Sequence, residues 1–433
     1  MSLFGSSGIR GVVGQDFTVE LAERIGEAVG SMYGRVALGR DTRTTGPLVA
    51  QAVICGVTAA GGEVYDAGML STPTLARAAG RFDCGIMVTA SHNPAHYNGV
   101  KLWNPDGAAF DTPQMVDVEK RIADPPAERV DWRHVGQGFE IEGATEEHIE
   151  AIARSVGAVD ARVVVDCGNG GTYRVSPLTL REMGCDVLAL NAQPDGTFPG
   201  RNPEPTEDQL DDLKAMVLRK GAQAGIAHDG DGDRMVAVDD RGRFVDGDRL
   251  IALFASAMNA RGVVAPMDAS MVLDEMVGRV ERCKVGDVYV AEALKRTGLD
   301  FGGEPSGTYI FPRETFCPDG VLAGALLAKM AAEQPLSERL DALPSFPVSR
   351  SSHKFEARRR DEIVSSLREQ MRSLDCEQLL TLDGFRAEFA DGWFLIRLSG
   401  TEPKVRVTVE ARDRGELQRL EQMAQKVLGG CLR

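Results

Sequence analysis

Two polar turns of the chain carry side chains that could do chemistry together. The first is Thr89-Ala90-Ser91-His92-Asn93-Pro94, which follows the apolar run 84–88. The second is Asp229-Gly230-Asp231-Gly232-Asp233-Arg234, whose three carboxylates are spaced two residues apart. A hydroxyl on a tight turn can act as a nucleophile, and carboxylate oxygens are the ligands that Mg²⁺ prefers. The two turns therefore predict a serine that carries a phosphoryl group and faces a divalent cation.

The role of Ser91 is open when the residue is considered alone. A serine in such a turn often does no more than satisfy the hydrogen bonds of the turn. The chain around it has no Gly-x-Ser-x-Gly segment, which is the turn that exposes the serine of many hydrolases. His92, its neighbour, is as compatible with a structural histidine as with a base.

The acidic turn has two alternatives. A calcium-binding EF-hand would begin with the same aspartates, but it needs glycine at its sixth position and glutamate at its twelfth. Arg234 and Asp240 occupy these positions, which excludes the EF-hand. A solvated acidic loop remains as the alternative, although three crowded carboxylates repel one another when no cation is bound.

Two later turns could bind a sugar and a phosphate. Glu304 and Ser306 could hydrogen-bond sugar hydroxyls, although turns of the composition Gly303-Glu304-Pro305-Ser306-Gly307 are common. The stretch Arg397-Leu398-Ser399-Gly400-Thr401 offers a guanidinium, two hydroxyls and glycine-exposed amides, which suits a phosphate, and a plain hairpin turn is the alternative. Lys101 and Arg10 are basic groups that could serve the same site or be ordinary surface charges.

The elements that must position these turns alternate between helix and short strand. In the first part of the chain, apolar periodicity predicts helices at 18–33, with Thr18 as N-cap, at 47–60 and at 72–79. Strands are predicted at 36–38, 63–65 and 84–88. Helices between short apolar strands imply crossover connections and a mostly parallel sheet, whose strand ends are the usual place for a ligand.

The same alternation restarts twice. A strand is predicted at 162–166, a helix with the capping-box pattern Thr206-Glu207-Asp208-Gln209 at 206–220, and a strand at 224–227 before the acidic turn. A third unit spans about 248–343, with a strand near 299–301 before the Glu304 turn. The last part differs, because strands at 394–397 and 405–409 flank the Arg397 turn and a helix follows at 415–427.

The predicted fold class is therefore α/β. It consists of three related α/β units with mixed, mostly parallel sheets, and a C-terminal α+β phosphate-binding domain, arranged around a central cleft. The predicted domains are residues 1–140 with the phosphoserine, 155–245 with the metal site, 246–345 with the sugar-binding turn, and 346–433 with the phosphate-binding turn.

Composition limits the partners of the chain. The 433 residues suffice for two to four domains, and the net charge of -15 argues against a nucleic-acid partner. An anionic substrate must be attracted by local basic residues against this overall field. The eight cysteines include no Cys-x-x-Cys pair, the N-terminus has no leader pattern, and no apolar run reaches about 18 residues. We therefore expect free thiols, no membrane partner and a cytoplasmic location.

Taken together, the four turns resemble the motifs of the α-D-phosphohexomutase superfamily, in the same order and over essentially the whole chain. The resemblance implies four domains and an intramolecular phosphotransferase, which is an isomerase. In that superfamily a phosphorylated serine gives its phosphoryl group to a hexose 1-phosphate or 6-phosphate. The bisphosphorylated sugar turns around in the cleft, and its other phosphoryl group returns to the serine. Mg²⁺ is the implied metal, and a hexose bisphosphate is the implied intermediate and activator.

The resemblance also implies roles for individual residues. Ser91 would be the phosphoserine, and its phosphate would share Mg²⁺ with three ligands, Asp229, Asp231 and Asp233. Arg234 would position that phosphate, and Glu304 with Ser306 would bind sugar hydroxyls. The distal phosphate would be held by Arg397, Ser399, Gly400, Thr401 and Arg406. Proton transfer and phosphate binding would involve Arg10 and Lys101.

One position departs from the superfamily pattern. Many members carry a histidine directly after the Glu-x-Ser-Gly turn, whereas this chain has Thr308. If that histidine handles protons in its relatives, another group such as Lys101 or His92 must do so here.

The segments 97–110, 199–205 and 303–308 are most similar to archaeal-type phosphoglucosamine mutases, which favours glucosamine phosphate as the substrate. Mannose and glucose phosphates are the alternatives, and a non-catalytic sugar-phosphate binding protein is a further one. The sequence makes no prediction of the oligomeric state.

Overall fold

The computed structural model of the protein describes residues 3–5, 8–125, 130–399 and 403–432. The first sheet is mixed. In these residues its strands run, from edge to edge, Ile9–Val12, Tyr97–Trp103, Cys84–Val88, Arg35–Arg40, Glu63–Met69 and Gly138–Glu140. The first two pairings are antiparallel and the other three are parallel. Its helices are Val19–Met32, Gly46–Ala59, Thr72–Ala78 and Thr112–Ala123, with a 3₁₀ turn at Ala79–Arg81.

The first helix follows its sequence signals. It begins at Val19, where Oγ1 of Thr18 accepts a hydrogen bond of 3.2 Å from the amide of Leu21, as expected of an N-cap. Gly26 lets this helix lie close to the helix Gly46–Ala59, because a Cβ at Gly26 would come within 2.3 Å of the carbonyl oxygen of Val53.

The second sheet contains the strand that leads into the acidic turn. Across the described part of the chain, its strands follow the order Phe244–Val245, Met235–Asp239, Ala224–His228, Arg162–Asp166 and Asp186–Leu190. The accompanying helices are Ala144–Val156, Val175–Glu182 and Asp211–Lys220. The predicted start of a helix at 206 is wrong, because Glu207–Gln209 is a 3₁₀ turn and Thr206 makes no side-chain cap. Leu210, fully buried in an apolar cluster, leaves helical geometry there, so tertiary packing overrides the capping pattern.

The third sheet contains the hairpin that carries the Glu304 turn. Its described strands follow the order Val280–Cys283, Val263–Pro266, Gly302–Glu304 and Thr308–Ile310. Helices Gly247–Ala257, Val272–Met276, Asp287–Thr297, Gly320–Glu333 and Leu336–Asp341 surround it. The strand predicted at 299–301 begins instead at Gly302. A Cβ at Gly302 would lie 2.8 Å from Cγ1 of Val290, so glycine is what lets the strand pack against the helix Asp287–Thr297.

The fourth sheet is antiparallel throughout its described strands, which follow the order Val348–Lys354, Lys404–Ala411, Gly392–Leu398, Phe385–Phe389 and Gln378–Leu380. The helices Arg360–Arg372 and Arg414–Leu432 share an apolar core with it, and a 3₁₀ turn covers Ala357–Arg359. The predicted fold class, with three α/β units and an α+β module, is confirmed. The domain limits given above stay a prediction.

All eight cysteines lie in the described residues and are free thiols. Among the helices of the described residues, none has the length and apolar character that a membrane span requires.

Candidate active site

Ser91 lies in a strained turn three residues after the end of the strand Cys84–Val88. Its φ of 49° falls in the left-handed region, which is unusual for a residue with a side chain. The amide of Ser91 donates a hydrogen bond of 2.8 Å to Oγ1 of Thr89, whose hydroxyl donates one of 2.7 Å to Oδ2 of Asp41. The turn is thus fixed by buried polar contacts.

Arg43 is the main support of this turn. The side chain is 1% exposed, and its Nε forms an ion pair of 3.1 Å with Oδ2 of Asp41. Its two terminal nitrogens donate hydrogen bonds of 2.6–2.9 Å to the carbonyl oxygens of Ser91, Asn93, Pro94 and Tyr97. Sequence reasoning missed Arg43. The signal was available, because Asp41 and Arg43 follow the strand Arg35–Arg40, which is parallel to Cys84–Val88 and ends at the same sheet edge.

The acidic turn meets Ser91 across the first two domains. Oγ of Ser91 donates a hydrogen bond of 2.7 Å to Oδ2 of Asp229. Asp229, Asp231 and Asp233 are buried, and each offers a carboxylate oxygen within 4.8 Å of the other two. Oδ1 of Asp231 and Oδ1 of Asp233 are buried, and the described residues give them no hydrogen-bond partner. Buried oxygens without partners fit a divalent cation, and this burial does not fit a solvated acidic loop.

The aspartates differ in their electrostatic surroundings. Burial, together with the charges of Asp231 and Asp233, raises the pKa of Asp229 well above its ordinary value. Burial alone would also raise the pKa of Asp231, but the ammonium of Lys101 outweighs burial and holds that pKa below its usual range. The cluster therefore keeps negative charge at Asp231 even before a cation is bound.

Lys101 is part of the acidic cluster and not a surface charge. Its side chain is 2% exposed, and its Nζ donates a hydrogen bond of 2.7 Å to Oδ2 of Asp231 and another to Oδ2 of Asp233. Burial by itself lowers the pKa of Lys101, yet the two aspartates outweigh it and the pKa lies above its ordinary value. Arg10 lies on the serine side, where its Nη1 donates a hydrogen bond of 3.2 Å to Oδ1 of Asn93.

His92 is close to the hydroxyl of Ser91. Its Nδ1 lies 3.3 Å from Oγ of Ser91. Burial, followed by the charges of Arg234, Arg10 and Lys101, lowers the pKa of His92 to about 2, so the imidazole is neutral near neutral pH.

The third domain joins the site beside Arg234. The backbones of Arg234 and Thr308 pair as an isolated antiparallel β-bridge, and the amide of Met235 donates a hydrogen bond of 2.9 Å to the carbonyl oxygen of Gly307. Oε1 of Glu304 accepts a hydrogen bond of 2.7 Å from the amide of Gly286. Burial, together with the nearby charge of Asp287, raises the pKa of Glu304 to about 8. The sugar-binding turn predicted from the sequence is therefore adjacent to the acidic turn.

Ser306 and Thr308 lie on this same turn. Their hydroxyl oxygens are 3.3 Å apart, within hydrogen-bond distance. The position where many superfamily members carry histidine thus offers a buried hydroxyl that faces Ser306 and has no titratable group.

The fourth domain contributes Arg397. Nη1 of Arg397 donates a hydrogen bond of 2.8 Å to Oδ2 of Asp383, which also accepts one of 3.1 Å from the amide of Val285 in the third domain. Arg397 and Arg406 lie directly opposite each other on two neighbouring antiparallel strands. The carbonyl oxygen of Ser399 accepts a hydrogen bond of 2.8 Å from Arg360. Gly400 and Thr401 lie outside the described residues.

Most of the chain matches protein-family models. The four models of phosphoglucomutase/phosphomannomutase match residues 1–129 (alpha/beta/alpha domain I), 143–242 (domain II), 246–346 (domain III) and 353–427 (C-terminal domain).

Two relatives named "Probable phosphoglucosamine mutase" are similar over their whole length. The protein of Methanocella arvoryzae is 45% identical over 100% of this chain and 99% of its own. The protein of Methanococcoides burtonii is 44% identical over 100% of both chains.

Two solved structures share the fold of this chain. A phosphoglucomutase/phosphomannomutase family protein of Burkholderia thailandensis has a TM-score of 0.90 at 30% identity, covering 99% of this chain and 97% of that chain. An N-acetylphosphoglucosamine mutase of Aspergillus fumigatus, solved with GlcNAc-6P and magnesium, shares the fold with a TM-score of 0.59 at 17% identity, covering 100% and 96%.

The fold and these matches define a phosphohexomutase, an isomerase that acts on phosphosugars. The chain belongs to the phosphoglucomutase/phosphomannomutase family.

Proposed function

We propose that this mutase interconverts glucosamine 6-phosphate and glucosamine 1-phosphate through a phosphorylated Ser91 and a bisphosphorylated sugar. One observation supports the chemistry above all others. The hydroxyl of Ser91 is hydrogen-bonded to Asp229 within a buried cluster of carboxylates that has unpartnered oxygens. The aminosugar is favoured by the names of the archaeal relatives that match over their full length. Mannose and glucose phosphates are the alternative substrates.

Each half of the reaction is a transfer between two oxygens. In the first half, the bond between the phosphorus and Oγ of Ser91 breaks while the free sugar hydroxyl forms a bond to that phosphorus. The proton of the attacking hydroxyl goes to a base, and Oγ of Ser91 regains a proton. In the second half, the bond between the other phosphoryl group and its sugar oxygen breaks while Oγ of Ser91 forms a bond to that phosphorus. The proton of Oγ goes to a base, and the sugar oxygen takes up a proton. Such transfer requires in-line positioning and neutralised charge more than covalent help from the protein.

The residues of the first two domains suit this task. Asp229, Asp231 and Asp233 would hold Mg²⁺, which neutralises charge on a transferring phosphoryl group when it is bound. Lys101 and Arg234 add positive charge beside the same carboxylates. The strained backbone of Ser91 and the contacts of Arg43 hold the serine hydroxyl at the carboxylate cluster. Oγ of Ser91 is therefore already positioned for transfer before the sugar binds.

The residues of the last two domains suit the binding of a sugar that must react at either end. Glu304 and Ser306 would bind hydroxyls in the middle of the sugar, which occupy similar places in both orientations. Arg397, with Ser399, Gly400, Thr401 and Arg406, would hold the phosphate that is not reacting. A hexose bisphosphate would recharge Ser91 after it loses its phosphoryl group.

For proton transfer we propose three candidate residues, Lys101, Arg10 and His92. We propose a cytoplasmic location and no nucleic-acid or membrane partner.

The central experiment compares initial rates on the 6-phosphates of glucosamine, mannose and glucose with Mg²⁺ and a hexose bisphosphate. We expect the highest kcat/KM on glucosamine 6-phosphate. Intact mass after incubation with the bisphosphate should show one added phosphoryl group, which should be missing in Ser91→Ala. Ser31→Ala, at a half-buried helix position, is the matched control. Turnover by Ser91→Ala near the wild-type rate would refute the serine assignment. A wild-type protein that binds sugar phosphates without turnover would favour the non-catalytic alternative.

A further inference from the structure

The turn after the strand Val263–Pro266 presents Asp268 between the third and fourth domains. Nη1 of Arg386, a buried residue of the fourth domain, donates hydrogen bonds of 2.7 Å and 3.0 Å to the carbonyl oxygens of Met267 and Ala269. Met267 also packs in an apolar cluster with Trp393 of the fourth domain. The backbone on both sides of Asp268 is therefore held by the domain that carries Arg397.

Asp268 lies beside the predicted sugar-binding turn. Together with Ser306 of the sugar-binding turn, it lines a cavity of about 360 Å³, which is large enough for a small ligand. Burial raises the pKa of Asp268, and the positive charges of Arg397 and Arg350 in the fourth domain oppose this rise. Asp268 in turn helps to raise the pKa of Glu304.

The carboxylate of Asp268 has unused binding capacity. Its Oδ1 is buried, and the described residues give that oxygen no hydrogen-bond partner. A buried carboxylate oxygen without a partner is unfavourable unless a ligand completes its hydrogen bonds. Most buried polar atoms are paired, so this oxygen remains able to accept a hydrogen bond from a ligand group.

The charge of the cavity indicates which group would fill it. Among the described residues that line it, three are aspartates, Asp246, Asp248 and Asp268, and one is basic, Arg350. An acidic lining disfavours a phosphate and favours a cation or a hydrogen-bond donor. The protonated amine of an aminosugar is both, whereas the hydroxyl of glucose or mannose is only the second.

We propose that Asp268 determines the preference for an aminosugar by binding the protonated amine at C2 of glucosamine phosphate. This inference rests on the proposed function, because it assigns the sugar to the same site. Asp246 lines the same cavity, whereas burial raises the pKa of Asp248 to about 7, so Asp248 is only partly ionised at neutral pH. A neutral hydroxyl at C2 can donate a hydrogen bond to Asp268 but gains no charge–charge attraction, so the two sugars depend on this carboxylate to different degrees.

The test removes the charge of Asp268 and compares two sugars. Asp268→Asn should lower kcat/KM on glucosamine 6-phosphate about tenfold or more, while kcat/KM on glucose 6-phosphate changes much less, because charged hydrogen bonds are the stronger ones. Asp341→Asn, at an exposed position of the same domain, is the matched control and should leave both values unchanged. Asp268→Glu keeps the charge and should recover part of the preference.

A second measurement separates binding from turnover. Calorimetric titration of Ser91→Ala, with and without Asp268→Asn, should show that the second substitution weakens binding of glucosamine 6-phosphate and spares glucose 6-phosphate. Retained binding of the glucose compound also shows that the double variant is folded.

Equal losses for both sugars, or no loss for either, overturn the assignment of Asp268. Absence of wild-type turnover on every hexose phosphate overturns the proposed function instead, and the titrations still decide the role of Asp268.

Discussion

The hydroxyl of Ser91, in the first domain, donates a hydrogen bond of 2.7 Å to Oδ2 of Asp229, in the second. The contact is supported by a second one across the same interface, where Thr72 donates a hydrogen bond of 2.6 Å from its hydroxyl to Oδ2 of Asp231. The amide of Thr72 also donates one of 2.8 Å to the carbonyl oxygen of Asp231. The carboxylates that would hold a cation are therefore next to the serine oxygen.

The metal site can be tested at Asp231. Its Oδ1 is a buried oxygen without a partner in the described residues, while its Oδ2 accepts hydrogen bonds from Lys101 and Thr72. Asp231→Asn should raise the Mg²⁺ concentration for half-maximal activity about tenfold or more, since one charged ligand is lost. In the wild type, Mg²⁺ should also raise the unfolding temperature, because it binds the folded state, and this rise should shrink in the variant.

The control for this prediction is Asp212→Asn, which removes the same charge from an exposed position of the helix Asp211–Lys220. It should titrate with Mg²⁺ as the wild type does. The metal assignment fails if Asp231→Asn and the wild type require the same Mg²⁺ concentration and gain the same stability from it.

Arg43 should be required for stability as well as for catalysis. Arg43→Lys keeps the charge but loses the planar fork that reaches Asp41 and the carbonyl oxygens of the serine turn. Hydrogen bonds made by a charged group contribute about 1.5–3 kcal/mol each, so the loss of at least two of them should lower the free energy of unfolding in urea by about 3 kcal/mol or more. kcat should fall as well, because the turn of Ser91 is no longer held. Arg24→Lys, at an exposed position, should change the stability by less than about 0.5 kcal/mol. Equal urea midpoints for Arg43→Lys and the wild type would contradict this role.

The sequence predicted the fold class and the serine and acidic turns, because these depend on local signals. Apolar strands that end in polar turns recur in three successive units. The carboxyl ends of parallel strands lie at the same edge of a sheet, where ligands usually bind. Thr18 caps its helix as predicted for the same reason, since a cap requires only neighbouring residues.

Contacts between distant segments could not be predicted from local patterns. Leu210, which is buried in an apolar cluster of the second domain, interrupts the helix predicted at 206–220, and the helix begins instead at Asp211. Arg43 follows a predicted strand, but its hydrogen bonds to the carbonyl oxygens of residues 91–97 join segments about 50 residues apart, which no local pattern specifies. Asp268 carries no motif at all, and its position depends on Arg386, more than 100 residues further along the chain.

Glu304 should make the stability of the protein depend on pH. Burial and Asp287 raise its pKa from 4.5 to about 8, with Asp268 adding to the effect and Arg234 and the amide of Gly286 opposing it. Because the folded state binds this proton more tightly than the unfolded state, stability from this group is complete below about pH 4.5 and is lost as the pH rises through about 8. Glu304→Gln carries no such proton, so the variant should gain a few kcal/mol relative to the wild type across that window.

Thermal unfolding measured between about pH 5 and pH 9 checks this expectation. Glu333→Gln, at an exposed helix end, should follow the wild-type curve at every pH. Parallel curves for Glu304→Gln and the wild type would show that the carboxyl of Glu304 ionises normally.

The closeness of the serine turn and the acidic turn depends on Gly230. A Cβ at Gly230 would lie 2.5 Å from the carbonyl oxygen of Ser91, so the backbone of one turn must move when a side chain is added. Gly230→Ala should lower kcat about hundredfold, since a displacement of about 1 Å at reacting groups has an effect of this size. Gly429→Ala is the matched control, because a Cβ there would meet none of the described residues within 4 Å. Within the helix Arg414–Leu432 it should increase stability by about 0.5–1 kcal/mol and leave kcat unchanged. Wild-type turnover by Gly230→Ala would mean that the distance between Ser91 and the acidic turn does not limit the reaction.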